Sequence, residues 1–357
     1  MSLNSREENL IMAIKNTPTI QEVALFANVS TATVSRVLTG KDKVKEETKI
    51  KVMNAIEQLG YDPRKKSLLS DHDSKTILVC VTELKNPFIV PIIDGIQNSA
   101  RKHDYDVLIL QTKDLYREFS EYETVLKEQK FAGVIFLSSL TSKQLAGITD
   151  QLNYRCPIVF CSEYIEDSDI PFVAIDDFEA IQKAARYLLS VDRKNIFFIN
   201  SKLSHNYARK RELGFRQAMK QANIPINEDF IVHLSSVTYA LAYSSALHIL
   251  SQKEKPDAIL CVSDVYAIAA LKACQKLGIN VPDDCAIIGF DNIDLTTMLQ
   301  PSLTTIEQPC YQMGYQSSEL LLESIQHPDK HSKQIILETE LIVRESTPIN
   351  IKKEGGE

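Results

Sequence analysis

The sequence lacks the short motifs by which several enzyme classes are recognised. Its 11 glycines never take the spacings G-x-G-x-x-G, G-x-x-x-x-G-K-[ST] or G-x-S-x-G, so no dinucleotide-binding, P-loop or nucleophile-elbow motif is present. There is no H-E-x-x-H and no C-x-x-C pair, so no metal site is predicted. These absences favour a protein that is not an enzyme and uses no cofactor.

Long hydrophobic runs and a secretory signal are also missing. Apolar runs such as Ile77–Val81 are far shorter than the roughly 20 residues of a membrane-spanning helix. The early run Leu10–Ile14 is too short for the apolar region of a signal peptide. Seven cysteines, an odd number, are scattered through apolar segments, which is typical of reduced thiols. We therefore expect a cytoplasmic protein with no membrane partner.

The size and the charge distribution indicate a small basic region on a larger acidic body. A chain of 357 residues exceeds the usual domain of about 100–200 residues, and 44% hydrophobic content supplies ample core. Residues 19–66 hold nine basic and six acidic side chains, a net charge of +3, whereas residues 67–357 carry −10. This asymmetry favours one nucleic-acid-binding module attached to another domain, although chance variation on solvated surfaces would also produce it.

Residues 19–62 have a helical hydrophobic period with clear start and stop signals. Thr19 to Glu22 is a capping box, Ser30 is a second N-cap, and Gly40 and Gly60 end helices. The first helix is expected to bury Ile20, Val23, Ala24 and Ala27, the second Val34, Val37 and Leu38, and the third Ile50, Met53, Ile56 and Leu59.

After residue 75 the pattern changes to apolar runs that alternate with amphipathic stretches. Strands are predicted at Ile77–Val81, Val107–Leu110, Val134–Leu137, Ile158–Cys161, Phe172–Ile175, Ile196–Ile199, Ala258–Val262 and Ala286–Phe290. Strands that are apolar on both faces and separated by helices predict parallel sheets covered by helices. The length predicts two such lobes, with a first crossover near Asp176.

The predicted fold is therefore a small all-α helix-turn-helix head followed by a two-lobed α/β core with parallel sheets. The predicted boundaries are a flexible arm 1–18, the head 19–62, a hinge or linker 63–75, a core 76–349 and a tail 350–357. Within the core, the N-lobe is placed at 76–172 plus 304–330, and the C-lobe at 173–303 plus 331–347.

The second head helix has a surface that suits the DNA major groove. Its outward positions are predicted to be Thr31, Ala32, Thr33, Ser35 and Arg36. Small hydroxyl and methyl groups allow close approach to base edges, and an arginine can pair with guanine or phosphate. The pattern alone leaves open a plain helical hairpin with a solvated face.

Longer motifs resemble the lactose/galactose repressor family of bacterial transcription regulators. The head segments are Val29-Ser-Thr-Ala-Thr-Val-Ser-Arg-Val-Leu38 and Ala55-Ile-Glu-Gln-Leu-Gly-Tyr-Asp-Pro63. The core segments are Asn86-Pro-Phe88, Arg211-Glu-Leu-Gly-Phe215, Ile287-Ile-Gly-Phe-Asp291 and Pro301-Ser-Leu-Thr-Thr-Ile306. The resemblance covers nearly the whole chain and, through Ile288–Thr296, is greatest to the cytidine-type repressors of the family.

The resemblance implies a homodimer that binds double-stranded operator DNA, with a core like the periplasmic sugar-binding proteins. It adds DNA-contact candidates outside the second helix: Thr19, Ser30, Lys45, Arg64, Lys65, Lys66, Leu68 and Leu69. Two departures from the family pattern stand out. Lys45 replaces the usual Ser-type cap of the third helix, and the hinge has Leu68 and Leu69 without the usual Asn- and Ala-rich stretch. Either leucine could wedge into the minor groove.

The same resemblance, with the rule that ligands collect at the carboxyl ends of parallel strands, predicts an effector site. Its candidates are Phe88, Arg211, Tyr239, Asp264 and Asp291. Phe88 is expected to stack, whereas Arg211 and Asp291 bind ribose or base. The alternatives are a surface charge for Arg211 and a turn residue for Asp291.

The predicted function is a repressor whose operator binding is modulated by a small effector. A nucleoside such as cytidine is favoured, and a purine or a sugar remains open. Cytidine-type repressors act alongside the cyclic-AMP receptor protein, which the resemblance implies as a further partner. Outside the family, the alternatives are a solute-binding protein and an enzyme that acts on a nucleoside or sugar.

Overall fold

The computed structural model describes residues 20–39, 44–59, 74–111, 131–138, 145, 156–166, 168–328 and 333–348. The predicted arm, Thr19, the linker as far as residue 73 and the predicted tail lie outside the described residues. The chain divides into two compact units, Met1–Ser74 and Lys75–Glu357. The division falls within the linker predicted at 63–75.

The described part of the first unit, called the head below, consists of three helices. They are α1 (Ile20–Phe26), α2 (Thr31–Thr39) and α3 (Glu46–Leu59). The Ser30 hydroxyl accepts a hydrogen bond from the Thr33 backbone N–H at 3.2 Å, so Ser30 caps α2 as predicted. The small side chains at its centre are Val23, Ala24, Ala27, Val34, Val52 and Ala55, all buried.

The buried face of α3 differs from the predicted one. Ile50 and Met53 are 55% and 52% exposed, whereas Val52 and Ala55 are buried. Ile56 and Leu59 pack beside them, as predicted. Positions 52, 55, 56 and 59 form one stripe at helical spacing. The small Val52 and Ala55 side chains let α1 and α2 approach closely, so fit rather than side-chain hydrophobicity decides which face is buried.

In the second unit, strands and helices alternate along the chain. The order is β1 (Thr76–Val81), α4 (Ile89–Lys102), β2 (Asp106–Gln111), β3 (Gly133–Leu137), β4 (Ile158–Cys161), β5 (Phe172–Ile175), α5 (Asp177–Ser190), β6 (Ile196–Ser201), α6 (Asn206–Gln221), β7 (Ile231–Leu234), α7 (Tyr239–Leu250), β8 (Ala258–Cys261), α8 (Asp264–Leu277), β9 (Ala286–Asp291), β10 (Thr304–Glu307), α9 (Cys310–Gln326), β11 (Gln334–Leu337) and β12 (Glu340–Ile342). Two 3₁₀ turns lie at Glu228–Phe230 and Asp294–Thr297.

The strands form two sheets, which define a first and a second lobe. The first sheet has the order β11-β5-β4-β3-β1-β2, and all its pairs are parallel. The second has the order β12-β10-β9-β8-β6-β7 and is parallel except for the β10–β12 pair. Central strands such as β3, β5 and β9 are buried along their whole length, as their continuous apolar runs predict. The predicted two-lobed α/β class is confirmed.

The predicted lobe boundaries are wrong near the end of the chain. The prediction assigns residues 304–330 to the N-lobe, but β10, which lies in this range, pairs with β9 in the second sheet. It assigns residues 173–303 and 331–347 to the C-lobe, but β5 and β11, which lie at the start of the first range and within the second, pair with each other in the first sheet. The chain crosses between the sheets beside Asp176, where a crossover is predicted, and again near Gln308 and Thr339. These pairings join distant segments, so no local pattern shows them.

Helices α4 and α9 pack tightly against each other in the first lobe. A Cβ atom built on Gly95 would lie 2.1 Å from the Tyr311 carbonyl oxygen. One built on Gly314 would lie 1.9 Å from the carbonyl oxygen of Ile92. Glycine is required at both positions because the two backbones touch there. This packing fixes α9 against the first sheet directly after the crossover at Gln308.

Candidate functional site

A cavity of about 660 Å³ lies where the carboxyl ends of strands from both sheets come together. Its walls are Thr82, Glu83, Lys85, Asn86, Phe88, Ile89, Gln111, Leu137, Ser138, Ser162, Glu163, His205, Tyr207, Arg211, Ser235, Ser236, Val237, Val262, Ser263, Asp291 and Gln308. Most of these residues end a strand or lie within two residues after one. A cleft of this size suits a small-molecule ligand, and because most of its wall residues are polar it can form many hydrogen bonds with that ligand.

Arg211 is held rigidly at the cavity wall. Its Nε donates to Asp177 Oδ1 at 2.8 Å, and its second terminal nitrogen lies 2.7 Å from the same oxygen. The first terminal nitrogen donates to the Val262 carbonyl at 2.7 Å. The guanidinium carbon lies 3.5 Å from the centre of the Phe290 ring and 4.9 Å from that of Tyr207. Because a guanidinium has five N–H donors, two remain to bind a ligand in this fixed orientation.

Asp291 ends β9 in a strained conformation beside Arg211. Its φ of 117° is one that side chains rarely adopt. Its carboxylate accepts hydrogen bonds from Gln308 Nε2 at 2.7 Å and Ser263 Oγ at 3.2 Å. Burial raises its pKa to about 7, although Arg211 and these two donors act to lower the pKa. The carboxylate is thus aimed at the cavity and titrates near neutral pH.

Aromatic rings from both lobes line the cavity. Phe88, half-buried, comes from the first lobe, and its N–H donates to the Asn86 side chain at 3.2 Å. Tyr207 and His205 come from the second lobe, with ring centres 5.4 Å apart. Burial lowers the pKa of His205, and nearby Lys202 and Arg209 lower it further. These rings provide flat surfaces on which a planar ligand can stack.

Two buried polar atoms of cavity residues lack a hydrogen-bond partner among the described residues. They are Ser138 Oγ in the first lobe and Gln308 Oε1 at the crossover. Buried polar atoms normally have a partner, and each unsatisfied one calls for an explanation. Both residues line the cavity, so a bound ligand or an ordered water molecule could supply the missing hydrogen bonds.

Two predicted effector residues do not reach the cavity. Asp264 is fully buried; it accepts from Thr305 Oγ1 at 2.7 Å and from the Ile293 backbone N–H at 3.0 Å. Burial and the nearby charge of Asp291 raise its pKa well above the usual value. Asp264 therefore fixes the turn after β9. Tyr239 is 45% exposed and stacks on Tyr243 outside the cavity. Neither Asp264 nor Tyr239 lines the cavity of this structure.

Several cavity residues were not singled out from the sequence. They include Lys85, Gln111, Ser138, Glu163, His205, Tyr207 and Gln308. For Gln111, Ser138 and Glu163 the sequence offers a signal, because each closely follows a predicted strand. Gln308 follows β10, which the sequence pattern does not reveal. His205 and Tyr207 lie at the start of α6, four or more residues before Arg211, and no comparable signal marks them.

The head presents candidate DNA-contact residues on its surface. Ser30, Thr31, Arg36 and Lys45 are exposed, and Thr33 is half-buried with its hydroxyl 2.8 Å from that of Ser30. Lys45 precedes α3, and its carbonyl oxygen accepts hydrogen bonds from the backbone N–H groups of Thr48 and Lys49. Ala32 and Ser35 lie within α2, but their side chains are outside the described residues. The same holds for Thr19, Arg64, Lys65, Lys66, Leu68 and Leu69.

No metal site or membrane span emerges from the described residues. They contain no group of three or more His, Cys, Asp or Glu side chains that could hold a metal ion. None of their helices combines the length and the apolar character needed to cross a bilayer. All seven cysteines are unpaired.

A helical head joined to two parallel-sheet lobes around a small-molecule cavity is the architecture of an effector-responsive transcription regulator. Comparisons with known proteins give the same class. Residues 19–64 match the model of the bacterial regulatory proteins of the lacI family, and residues 185–347 match a periplasmic binding protein-like domain.

The chain is similar to individual members along most of its length. It is 34% identical over 330 residues to the transcriptional repressor CytR of Escherichia coli K12, covering 92% of this chain and 96% of the repressor. The solved complex of the regulator CelR with cellobiose has a TM-score of 0.71 at 26% identity, covering 92% and 99% of the two chains. A lacI-family regulator from Enterococcus faecium with bound ribose has a TM-score of 0.68 at 25% identity, covering 76% and 98%.

The chain therefore belongs to the lacI family and is a DNA-binding transcriptional repressor. Regulators of this family bind operator DNA and small-molecule effectors and act as dimers. Its relatives and its fold are those of regulators, not of enzymes.

Proposed function

We propose that this repressor binds its operator as a homodimer and that a neutral nucleoside in the cavity modulates this binding. Cytidine is the first candidate. The observation that carries the proposal is the fixed Arg211, with two N–H donors left for a ligand, beside the strained carboxylate of Asp291. A donor and an acceptor side by side suit a ligand that has both hydroxyl groups and ring nitrogens.

The charge of the cavity favours an uncharged effector. Its walls carry the acidic Glu83, Glu163 and Asp291 against the basic Lys85 and Arg211. The Arg211 charge is already paired with Asp177. Phosphate sites use clustered arginines, lysines or converging backbone amides, and this balance of charges does not favour a dianion. A nucleoside or a sugar therefore fits better than its phosphate ester.

The aromatic walls favour a nucleoside over a simple sugar. Phe88 on one lobe and Tyr207 on the other provide ring faces for a planar base, whereas Arg211 and Asp291 can bind ribose hydroxyls. A relative with bound ribose supports the second part. The similarity to CytR and to the cytidine-type repressors supports cytidine as the first nucleoside to test.

We further propose that α2 enters the DNA major groove. The exposed Thr31 and Arg36 would face base edges or phosphates, together with Ala32, Thr33 and Ser35, while Ser30 and Lys45 contact the backbone. Thr19 and the basic Arg64, Lys65 and Lys66 would add phosphate contacts, and Leu68 or Leu69 would wedge into the minor groove. The cyclic-AMP receptor protein is proposed as a partner on the operator.

A sugar effector is the second candidate. The CelR structure contains cellobiose in a protein that covers nearly all of this chain. The cavity of about 660 Å³ would accommodate a disaccharide, and its serines and carboxylates suit sugar hydroxyls. Aromatic rings also stack on sugar faces, so this candidate uses the same walls. The two candidates differ in whether a planar base is required.

Calorimetric titration of the full chain separates the candidates. The ligands are cytidine, uridine, adenosine, ribose and cellobiose, and the control is cytidine monophosphate. The proposal expects cytidine to bind with micromolar affinity, ribose to bind more weakly, and the monophosphate to bind poorly. If cellobiose were the only ligand to bind, a sugar rather than a nucleoside would be the effector. Failure of every neutral ligand, with binding of the phosphate ester, would contradict the proposal.

A further inference from the structure

The first two turns of α6 contact the opposite lobe beside the cavity. Lys210 of α6 reaches the loop that follows β4, where its ammonium group donates a hydrogen bond to the Tyr164 hydroxyl. The same ammonium lies 3.4 Å from a Glu166 carboxylate oxygen and 4.5 Å from the centre of the Tyr164 ring. One side chain of the second lobe therefore makes three contacts with the first.

The Tyr164 side chain that Lys210 contacts is itself held in place by packing. Its ring stacks on Phe172 of β5, with ring centres 4.0 Å apart and planes within 3° of parallel. Burial acts against the charge of Lys210, but the hydrogen bond to the Tyr164 hydroxyl and the negative charge of Glu166 raise the pKa of Lys210 above its ordinary value. The lysine is thus held as a cation against the core of the first lobe, and movement of either lobe would break these contacts.

A second contact joins the same two segments. The Tyr207 backbone N–H in the first turn of α6 donates to Glu163 Oε1 at 3.2 Å. The first amides of a helix have no partner within the helix, and the residue before α6, His205, makes no side-chain capping bond. A carboxylate of the first lobe therefore caps a helix of the second lobe. Its charge also suits the positive end of the helix dipole.

We propose that these residues form an interlobe clasp, namely Glu163, Tyr164 and Glu166 against Tyr207 and Lys210, which holds the two lobes together. Lys210 is a positioning residue. It acts through α6, which also carries Arg211, and it fixes this helix relative to Phe88 across the cavity. The clasp sets what fraction of molecules has the arrangement that can bind ligand. The expected effect of the clasp on ligand affinity rests on the proposed function. The existence of the clasp rests only on the contacts between the lobes.

Amide hydrogen exchange of the full chain without ligand tests the clasp directly. The Tyr207 amide is the reporter, because its acceptor belongs to the other lobe. We expect Lys210→Met to raise its exchange rate about five-fold or more, since a cation–π or ion-pair contact contributes about 1 kcal/mol. Lys210→Arg should restore protection. Tyr164→Phe removes the acceptor but keeps the ring stack and should have an intermediate effect.

Lys220→Met is the matched control. Lys220 is an exposed lysine in the same helix, so this variant loses the same charge without touching the clasp. It should leave Tyr207 exchange unchanged. The amide of Phe215, deep in α6, should exchange at the same rate in every variant, which distinguishes opening of the lobes from loss of the helix. Equal Tyr207 exchange in Lys210→Met and in the unmodified chain would overturn the proposal.

Cytidine binding provides the second readout. In Lys210→Met, the dissociation constant and the dissociation rate of cytidine should both rise about five-fold, with Lys210→Arg close to the unmodified chain. Unchanged cytidine kinetics in a variant with faster Tyr207 exchange would show that the clasp does not control the cavity. If the unmodified chain does not bind cytidine, the nucleoside proposal fails, and the exchange result still decides the clasp.

Discussion

The head and the cavity hold their candidate functional residues in opposite ways. On the head, Thr31 and Arg36 are exposed at the surface of α2. In the cavity, Arg211 and Asp291 are only 5% and 8% exposed, and each is held by several hydrogen bonds. A duplex is large and must be met by an outer surface, whereas a small ligand can be enclosed. The side chains that would bind a small ligand are therefore already fixed by hydrogen bonds within the protein. The side chains that would bind DNA are exposed, and their positions become fixed only when DNA binds.

This contrast predicts different costs of substitution in the two regions. Removal of a buried, hydrogen-bonded charge leaves its partner unpaired, so the loss exceeds that of a single contact. Removal of an exposed side chain from the head leaves the buried core in place, so the loss falls mainly on DNA binding. The following substitutions sharpen the comparison, beginning with the largest expected effect.

Arg211→Met should abolish ligand control and leave the head unaffected. We expect cytidine affinity to fall at least about 100-fold, or about 3 kcal/mol, because two fixed donors are lost and Asp177 is left unpaired. Calorimetric titration measures the loss. DNA binding without ligand should persist in gel-shift assays. Cytidine affinity within three-fold of the unmodified chain would exclude Arg211 from the site.

Arg36→Ala should reduce operator selectivity more than it reduces general DNA affinity. A bidentate contact to a base contributes about 1–3 kcal/mol of discrimination, whereas non-specific binding depends on many phosphates. Fluorescence anisotropy with operator and scrambled duplexes, repeated across salt concentrations, separates the two terms. An equal loss on both duplexes would assign Arg36 to phosphate binding alone.

Substitutions in α3 test which face of this helix is buried. Val52→Ala should destabilise the head by about 1–2 kcal/mol, because it removes buried methyl groups from a small core. Ile50→Ala, on the exposed face, should change stability by less than about 0.5 kcal/mol. Exchange of the Val34 amide, which is bonded to the Ser30 carbonyl, measures the difference. A larger loss of stability from Ile50→Ala than from Val52→Ala would show that Ile50 lies on the buried face of α3.

The pH dependence of ligand affinity should be the smallest effect. Ligand hydroxyls donate to a carboxylate, so they favour the ionised form of Asp291, whose pKa is about 7. Between pH 6 and pH 8 the ionised fraction rises about ten-fold, and cytidine affinity should rise by up to that factor. Asp291→Asn should remove this dependence. A fall in affinity with rising pH would indicate that the protonated carboxyl donates to the ligand.

The sequence predicts local features well in both regions. The start of α2 at Ser30, the strands from β1 to β6, β8 and β9, and the positions of Arg211 and Asp291 after strands all follow from patterns within a few residues. Strands β7, β10, β11 and β12 escape prediction. They are short, and all except β10 are partly exposed, so they carry little hydrophobic signal.

Errors arise wherever the outcome depends on distant partners. The lobe membership of β10 and β11 is decided by pairing across the chain. Asp264 follows a strand as Asp291 does, yet Thr305 and Ile293 take up its carboxylate and hold it behind the cavity. The Glu163–Tyr207 contact joins residues from two lobes. Such contacts are set by the tertiary structure, which sequence spacing does not reveal.

The most direct test of the account couples the two regions in one titration. A duplex selected by the full chain from a random pool is titrated by fluorescence anisotropy with and without saturating cytidine. We expect cytidine to change operator affinity at least five-fold in the unmodified chain and not at all in Arg211→Met. Equal operator affinity with and without cytidine, in a chain that calorimetry shows to be saturated, would contradict control of the head by a nucleoside in the cavity.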